Sequence, residues 1–141
     1  MKNKNQYCTC LYYSANALSR KITKMAEEAF SITGLAPSYA FLLMAINKEP
    51  GLHPKELSEI MLLTPSTVTR LIEKLENKGL IIRKFEGKYT FVLPTKDGKK
   101  MMPKLEKAWL GLYEEYTKML GEKNSKNLTQ QIFNAALKLE S

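Results

Sequence analysis

The stretch Leu57–Gly98, LSEIMLLTPSTVTRLIEKLENKGLIIRKFEGKYTFVLPTKDG, decides how this chain is read. Just ahead of it Pro54 follows His53, and a proline at the first helical position gives up no hydrogen bond that the helix needs. Leu57, Ile60 and Met61 then recur at helical spacing. Thr64-Pro65 opens a second helix, with Thr64 as N-cap and Pro65 in the first helical position. Val68, Leu71, Ile72 and Leu75 form one apolar stripe along it. Asn77-Lys78-Gly79 ends it, with Gly79 as the left-handed terminator. Two β-rich runs follow, Leu80 to Phe85 and Tyr89 to Leu93, around the short turn Glu86-Gly87-Lys88, and Pro94 stops the second run.

Helix, tight turn, helix and hairpin form a winged helix-turn-helix. The predicted fold is therefore mainly α with a small β-hairpin wing, the module spanning 37–98. Such a module lays its second helix in the DNA major groove. The polar side of that helix carries Ser66, Thr67, Thr69, Arg70, Glu73 and Lys74. Small hydroxyl residues let a helix N-terminus approach DNA closely, and the helix dipole favours a nearby phosphate. Ser and Thr bond to phosphates or base edges, and Thr also touches a thymine methyl. Arg70 has the reach for a guanine or a phosphate. The bland alternative is the solvated face of an ordinary amphipathic helix. The hairpin favours DNA: Arg83, Lys84 and Lys88 lie on or near its tip, where they would follow the phosphate backbone or enter the minor groove.

Both ends of the chain read as helical. Leu11, Ala15, Leu18, Ile22, Met25 and Ala29 make a sustained apolar seam on a long first helix. A second helix starts at Pro37 and runs to about Asn47, and Pro50-Gly51 closes it. After the wing, Met102, Leu105, Trp109, Leu112, Tyr116 and Met119 make another seam. A break at Gly121 to Asn127 precedes a last helix with Leu128, Ile132, Ala135 and Leu139. These seams exceed what one small winged helix needs, so residues 7–34 and 100–141 are expected to meet a second copy. A two-fold homodimer would set its recognition helices about one DNA turn apart, roughly 34 Å, on an inverted-repeat duplex. The alternative is a monomer whose helices wrap its own core.

The chain resembles the MarR family of bacterial transcriptional regulators. The residues that carry the likeness are Leu57-Ser58-Glu59, then Thr67-Val68-Thr69-Arg70-Leu71-Ile72-Glu73-Lys74-Leu75-Glu76, then Gly79-Leu80-Ile81 and Arg83. Leu93, Thr95 and Gly98 fit the family's pattern after the wing, and the resemblance covers nearly the whole chain, 1–141, as a single domain. It implies a repressor whose N- and C-terminal helices interlock as a dimerisation domain. One departure is plain. The family wing usually carries an Asp-x-Arg pair on a longer loop, and here the tip is only Glu86-Gly87-Lys88. Lys88 is the best substitute, without the planar fork of an arginine.

The chain has 141 residues, enough for one domain with a real core, and a net charge of +8 that favours a polyanionic partner. No apolar run approaches the roughly 20 residues of a membrane span. The N-terminus, Met1-Lys2-Asn3-Lys4-Asn5, has no apolar core behind its charges, so no secretory signal is expected. With two cysteines and no such signal, the expected location is a reducing cytoplasm.

Tyr7-Cys8-Thr9-Cys10-Leu11-Tyr12, at the start of the first helix, is the candidate sensor. A thiol near a helix N-terminus is the more reactive for it, and Lys2 and Lys4 would add positive potential. Residues two apart on a helix face different ways, so oxidation of Cys8 or Cys10 would give a sulfenate, a mixed disulfide or a bond to the other subunit. The segment resembles the family's organic hydroperoxide-sensing branch, in which a cysteine is followed four residues on by a tyrosine that hydrogen-bonds it. Cys8 and Tyr12 match that spacing. A second tyrosine of that branch has no counterpart, because Ile22 stands in its place. The alternative is that both cysteines are small apolar fillers. A second route is a small-molecule effector held by Tyr12, Tyr39, Phe41, Met44 and Trp109, residue types that are more often plain core. No cofactor and no metal site is expected: His53 is the sole histidine and reads as a helix cap or a solvent-facing residue.

The chain does not read as an enzyme. It has no Gly-rich phosphate loop, no nucleophile elbow and no cysteine-histidine pair near in sequence. The rival reading is a winged helix that docks protein without specific DNA binding. It predicts an apolar or acidic recognition face, unlike the one this sequence carries.

Overall fold

The computed structural model describes residues 5–140; the readings made on Lys2 and Lys4 lie outside the described residues. Among these described residues, seven α-helices and one hairpin follow in order. They are α1 (Leu11–Phe30), extended by a 3-10 turn (Ser31–Thr33), then α2 (Pro37–Lys48), α3 (Pro54–Met61), α4 (Pro65–Asn77), β1 (Ile81–Glu86), β2 (Tyr89–Pro94), α5 (Lys96–Lys100), α6 (Met102–Leu120) and α7 (Glu122–Lys138).

The caps start the helices where the prolines place them. His53 Nδ1 accepts from the Lys55 N–H at 3.0 Å, and the Glu56 carboxylate accepts from the His53 N–H at 3.1 Å, which closes a box over the start of α3. Thr64 Oγ1 accepts from the Thr67 N–H at 3.4 Å and caps α4. Between them, α3 ends on Leu62 with φ 55°, a left-handed conformation that a branched side chain rarely adopts. That single residue makes the turn between α3 and α4 sharp and leaves Leu62 and Leu63 exposed. Gly79, with φ 75°, follows α4 as its left-handed terminator.

The core sits inside the helix-turn-helix and the base of the wing. Leu42, Leu43 and Ile46 of α2 meet Leu57 of α3, Val68, Ile72 and Leu75 of α4, Ile81 of β1 and Val92 of β2, all 0–1% exposed. Each such side chain stabilises the fold by ~2 kcal/mol over an exposed one. Phe30 of α1 and Leu105, Ala108 and Leu112 of α6 extend the core. The hairpin runs antiparallel from Ile81 opposite Pro94 to Glu86 opposite Tyr89, with Gly87-Lys88 as its apex. A third chain segment joins it: the Gly51 N–H donates to the Val92 carbonyl at 2.9 Å, and the Val92 N–H donates to the Leu52 carbonyl at 3.0 Å. Two residues are too short for any hydrophobic alternation to announce them as a strand.

The terminal helices differ from expectation in three places. The break after α6 is confined to Gly121 rather than reaching Asn127, because the Asn124 amide donates to the Leu120 carbonyl and Lys126 pairs with Glu122 across one turn. The buried line of α6 is Leu105, Ala108 and Leu112, while Trp109 and Met119 of the expected seam are mostly exposed. A helix turns 3.6 residues per turn, so alanine at 108, not tryptophan at 109, falls under the neighbouring helices. Finally, Cys8 and Cys10 do not lie on α1. Cys10 is its extended N-cap residue, and Cys8 sits in the turn before it. No single helix among the described residues is long and apolar enough to cross a membrane.

Candidate nucleic-acid interface

The N-terminus of α4 presents a chain of hydroxyls. Thr64 Oγ1 lies 2.8 Å from Thr67 Oγ1 and 3.3 Å from the Ser66 hydroxyl. The Thr69 hydroxyl donates to the Pro65 carbonyl at 2.9 Å, which keeps a lone pair and its methyl free. These groups stand at the positive end of the helix dipole, the natural seat of a phosphate. Arg70, one turn on, is exposed and makes no hydrogen bond or ion pair among the described residues. Lys74 is exposed as well, but its ammonium lies 5.8 Å above the Tyr39 ring, an arrangement that holds it against α2. Val68, Leu71, Ile72 and Leu75 bury the opposite side of α4, so the polar residues are forced outward together.

Arg83, expected on or near the wing tip, lies toward the base of the ribbon. It stands three residues into β1, opposite Val92, and its Nη2 and Nε donate to the two Glu76 oxygens at 2.9 and 3.3 Å. This fork joins the base of the wing to the last turn of α4. The hydrogen bonds that the guanidinium donates to Glu76 raise its pKa, against the opposing pull of burial, with further help from the charges of Glu76 and Glu73. Arg83 therefore ties the base of the wing to the helix. Lys84 and Lys88 are exposed. The tip also carries Phe85 and Tyr89, both largely in solvent, which charge counting passes over. The signal that would have found them is two aromatics flanking a two-residue turn.

The wing is anchored to the following helix by the residues that match the family pattern. The Thr95 hydroxyl donates to the Gly79 carbonyl at 2.7 Å, the Thr95 N–H donates to the Leu80 carbonyl at 3.0 Å, and Thr95 Oγ1 accepts from the Gly98 N–H. The Asn47 amide donates to the Gly98 carbonyl at 3.1 Å. A Cβ on Gly98 would stand 2.0 Å from the Leu80 oxygen, so only glycine fits there.

The sensor candidates separate. Cys8 and Cys10 are free and exposed. Tyr12 is 79% exposed and makes no hydrogen bond to Cys8; Ser14 is the residue whose hydroxyl meets the Cys8 carbonyl, at 3.0 Å. The proposed pocket residues do not surround one cavity. Tyr39 turns toward Lys74, Met44 is buried in the core, and Phe41 lies between Phe30 and Trp109, with ring centroids at 5.4 and 6.2 Å. Residues two apart on a helix point to different sides, which is why Tyr39 and Phe41 part company. Phe41 does line an open groove of about 320 Å³ with Pro37, Ile60 and Leu63. His53 serves as a cap, and no cluster of three or more metal-ligating side chains occurs among the described residues.

Known proteins match this arrangement. Residues 33–88, which hold the helix-turn-helix with the first strand and the turn of the wing, match the sequence profile of the MarR family. The chain is similar to the HTH-type transcriptional repressor MdtR of Bacillus subtilis, 34% identical over 83 residues, which is 59% of this chain and about half, 54%, of that repressor. It is similar along more of its length to the HTH-type transcriptional regulator SarZ of Staphylococcus epidermidis, 28% identical over 136 residues, covering 94% of this chain and 88% of that one. In fold it resembles the transcriptional repressor CouR bound to a 23-mer DNA duplex, with a TM-score of 0.85 at 16% identity over 96% of this chain and 99% of that one. It also resembles the Staphylococcus aureus MepR–DNA complex, with a TM-score of 0.80 at 16% identity over 92% and 98% of the two chains. Residues 33–88 thus carry the profile of the MarR family, the chain is similar in sequence to HTH-type transcriptional regulators, and its fold is that of the DNA-bound CouR.

Proposed function

We propose that the protein is a sequence-specific DNA-binding repressor that works as a homodimer on an inverted-repeat operator. The observation that carries the reading is the outward face of α4: a hydroxyl chain at the helix N-terminus, an unpaired Arg70 one turn on, and a lysine-bearing wing fixed beside them by the Arg83–Glu76 fork. Ser66, Thr67, Thr69, Arg70 and Lys74 meet the major groove, and Lys84 and Lys88 meet the flanking backbone. The dimer reading draws on α1 and α7, which expose Leu11, Leu18, Leu128, Ile132, Phe133 and Leu137. A second copy is the partner that would cover both, and it would supply the second recognition helix.

Release from DNA comes from an effector or from thiol oxidation. Exposed thiols at Cys8 and Cys10 support the oxidation route, and CouR, solved with p-coumaroyl-CoA, is a fold relative that holds a small molecule. Either event lowers affinity by favouring the arrangement in which the two α4 helices no longer match the operator. The test is a fluorescence-anisotropy titration with the promoter region beside the protein's own gene, with and without organic hydroperoxide. Arg70→Ala should weaken specific binding by ~1–3 kcal/mol. Selective binding lost on oxidation, and kept by Cys8→Ser, supports the thiol route; selective binding untouched by peroxide leaves the effector route. No selective binding by the parent, to this region or to duplexes from random-site selection, overturns the proposal in favour of a protein-docking module.

A further inference from the structure

Phe85 and Tyr89 flank the wing's apex and are 69% and 68% exposed. Two large aromatic rings left in water on the same short ribbon as Lys84, Glu86 and Lys88 are an informative departure from ordinary surface. Side chains alternate along a strand. Ile81, Arg83 and Phe85 therefore share one face of the ribbon with Thr90 and Val92, and Ile82, Lys84 and Glu86 share the other with Tyr89 and Phe91. Phe85 and Tyr89 thus stand on opposite faces of one narrow tip, with Gly87-Lys88 between them. The Tyr89 ring stacks on Phe91, with centroids 6.4 Å apart and 25° between planes, which holds it in place. The Arg83–Glu76 fork fixes the ribbon to the helix that carries Arg70.

We propose that the wing tip enters the DNA minor groove edge-on, Phe85 against one deoxyribose wall and Tyr89 against the other, while Lys88 meets phosphate. The inference rests on the DNA-binding reading of α4. Charge and placement name the occupant. Lys84 and Lys88 accompany the rings, the chain carries a net charge of +8, and the Arg83–Glu76 fork ties the wing to the helix that carries the recognition face. An apolar protein partner would leave both lysines unmatched. A guanidinium inserted into the minor groove is drawn to narrow, strongly negative A-tracts. A tip flanked by two rings needs the opposite: a groove that opens, as at the flexible TA and CA/TG steps. The wing would then read deformability in the operator flanks, with no fork to read a base edge.

The experiment takes a duplex recovered by random-site selection and keeps its core constant. The flank met by the wing is made either an A-tract or a run of TA steps. Anisotropy titrations at several salt concentrations compare the parent, Phe85→Ala, Tyr89→Ala, their combination and Arg70→Ala. The parent should prefer the TA flank by about tenfold. The double aromatic variant should lose that preference and bind the TA-flanked duplex about tenfold more weakly, with its salt slope unchanged because no charge was removed. A parent that prefers the A-tract flank overturns the inference, and this arm needs no variant to fold. So does a double variant that keeps both affinity and flank preference while Arg70→Ala loses binding; the α4 reading then survives alone. Arg70→Ala binding as the parent does, or tighter binding to single strands than to duplex, overturns the underlying reading and this inference with it.

Discussion

The helix-turn-helix with its wing and the terminal helices obey different rules of burial. Within the first, every element from α2 to β2 contributes to one interior of Leu42, Leu57, Ile72, Leu75, Ile81 and Val92. Within the second, α1 buries Phe30 and α7 buries only Ser125, while Leu11, Leu18, Leu128, Ile132, Phe133 and Leu137 are exposed. A helix with a sustained apolar stripe gains stability by covering it. The module closes on its own residues, whereas α1 and α7 leave much of their apolar stripes in solvent.

The substitution with the largest expected effect strikes the joint between the two regions. Gly98→Ala forces a methyl onto the Leu80 oxygen, so chemical denaturation should find the fold weaker by ~3 kcal/mol or more. A loss below 1 kcal/mol would mean that the joint has slack and that the two regions are less tightly coupled than the hydrogen bonds of Thr95 and Asn47 imply.

The exposed stripe of α7 offers the sharpest contrast. Ile132→Glu costs little if the helix stays in water. If a second copy covers it, sedimentation should show a dimer that the substitution splits, and the parent's melting temperature should rise with protein concentration. A parent that sediments as a monomer at tens of micromolar would leave the terminal helices without their partner. Inside the module, Thr64→Ala should cost ~1 kcal/mol through the lost cap of α4, read as a lower urea midpoint at unchanged slope.

The smallest effect is a pH dependence in the terminal region. Burial, with help from Tyr113, raises the pKa of Tyr116 above its ordinary 10.0. The folded chain thus holds this proton more tightly than the unfolded chain does. The associated stability is complete below pH 10 and is lost as pH rises through the folded value. Tyr116→Phe should flatten the fall in melting temperature above pH 10, and an unchanged alkaline limb would remove Tyr116 as its source.

Local grammar made the module legible. His53-Pro54 and Thr64-Pro65 start helices, Gly79 stops one, and Gly87 turns a hairpin, each through chemistry confined to neighbouring residues. What stayed hidden is tertiary. The pairing of Arg83 with Glu76 could not be read from the sequence, because Glu76 is brought to it only when the wing folds back on α4. Tyr39, Phe41, Met44 and Trp109 looked like one set because residue type does not say which side of a helix meets which neighbour. Gly51-Leu52 was too short to read as a strand, and Asn124 and Lys126 carried α7 almost up to Gly121 where polarity suggested a loop.

The packing of α1 against α6 has a consequence for the order of events on the ribosome. Synthesis runs from N- to C-terminus, so α1 emerges before the module. Its intramolecular cover is α6, which follows after the whole helix-turn-helix and wing have been synthesised. The module, whose contacts lie close in sequence, is free to close while α1 still waits with its apolar side bare. The nascent chain therefore carries the apolar side of α1 without its α6 cover until the module and wing have been made.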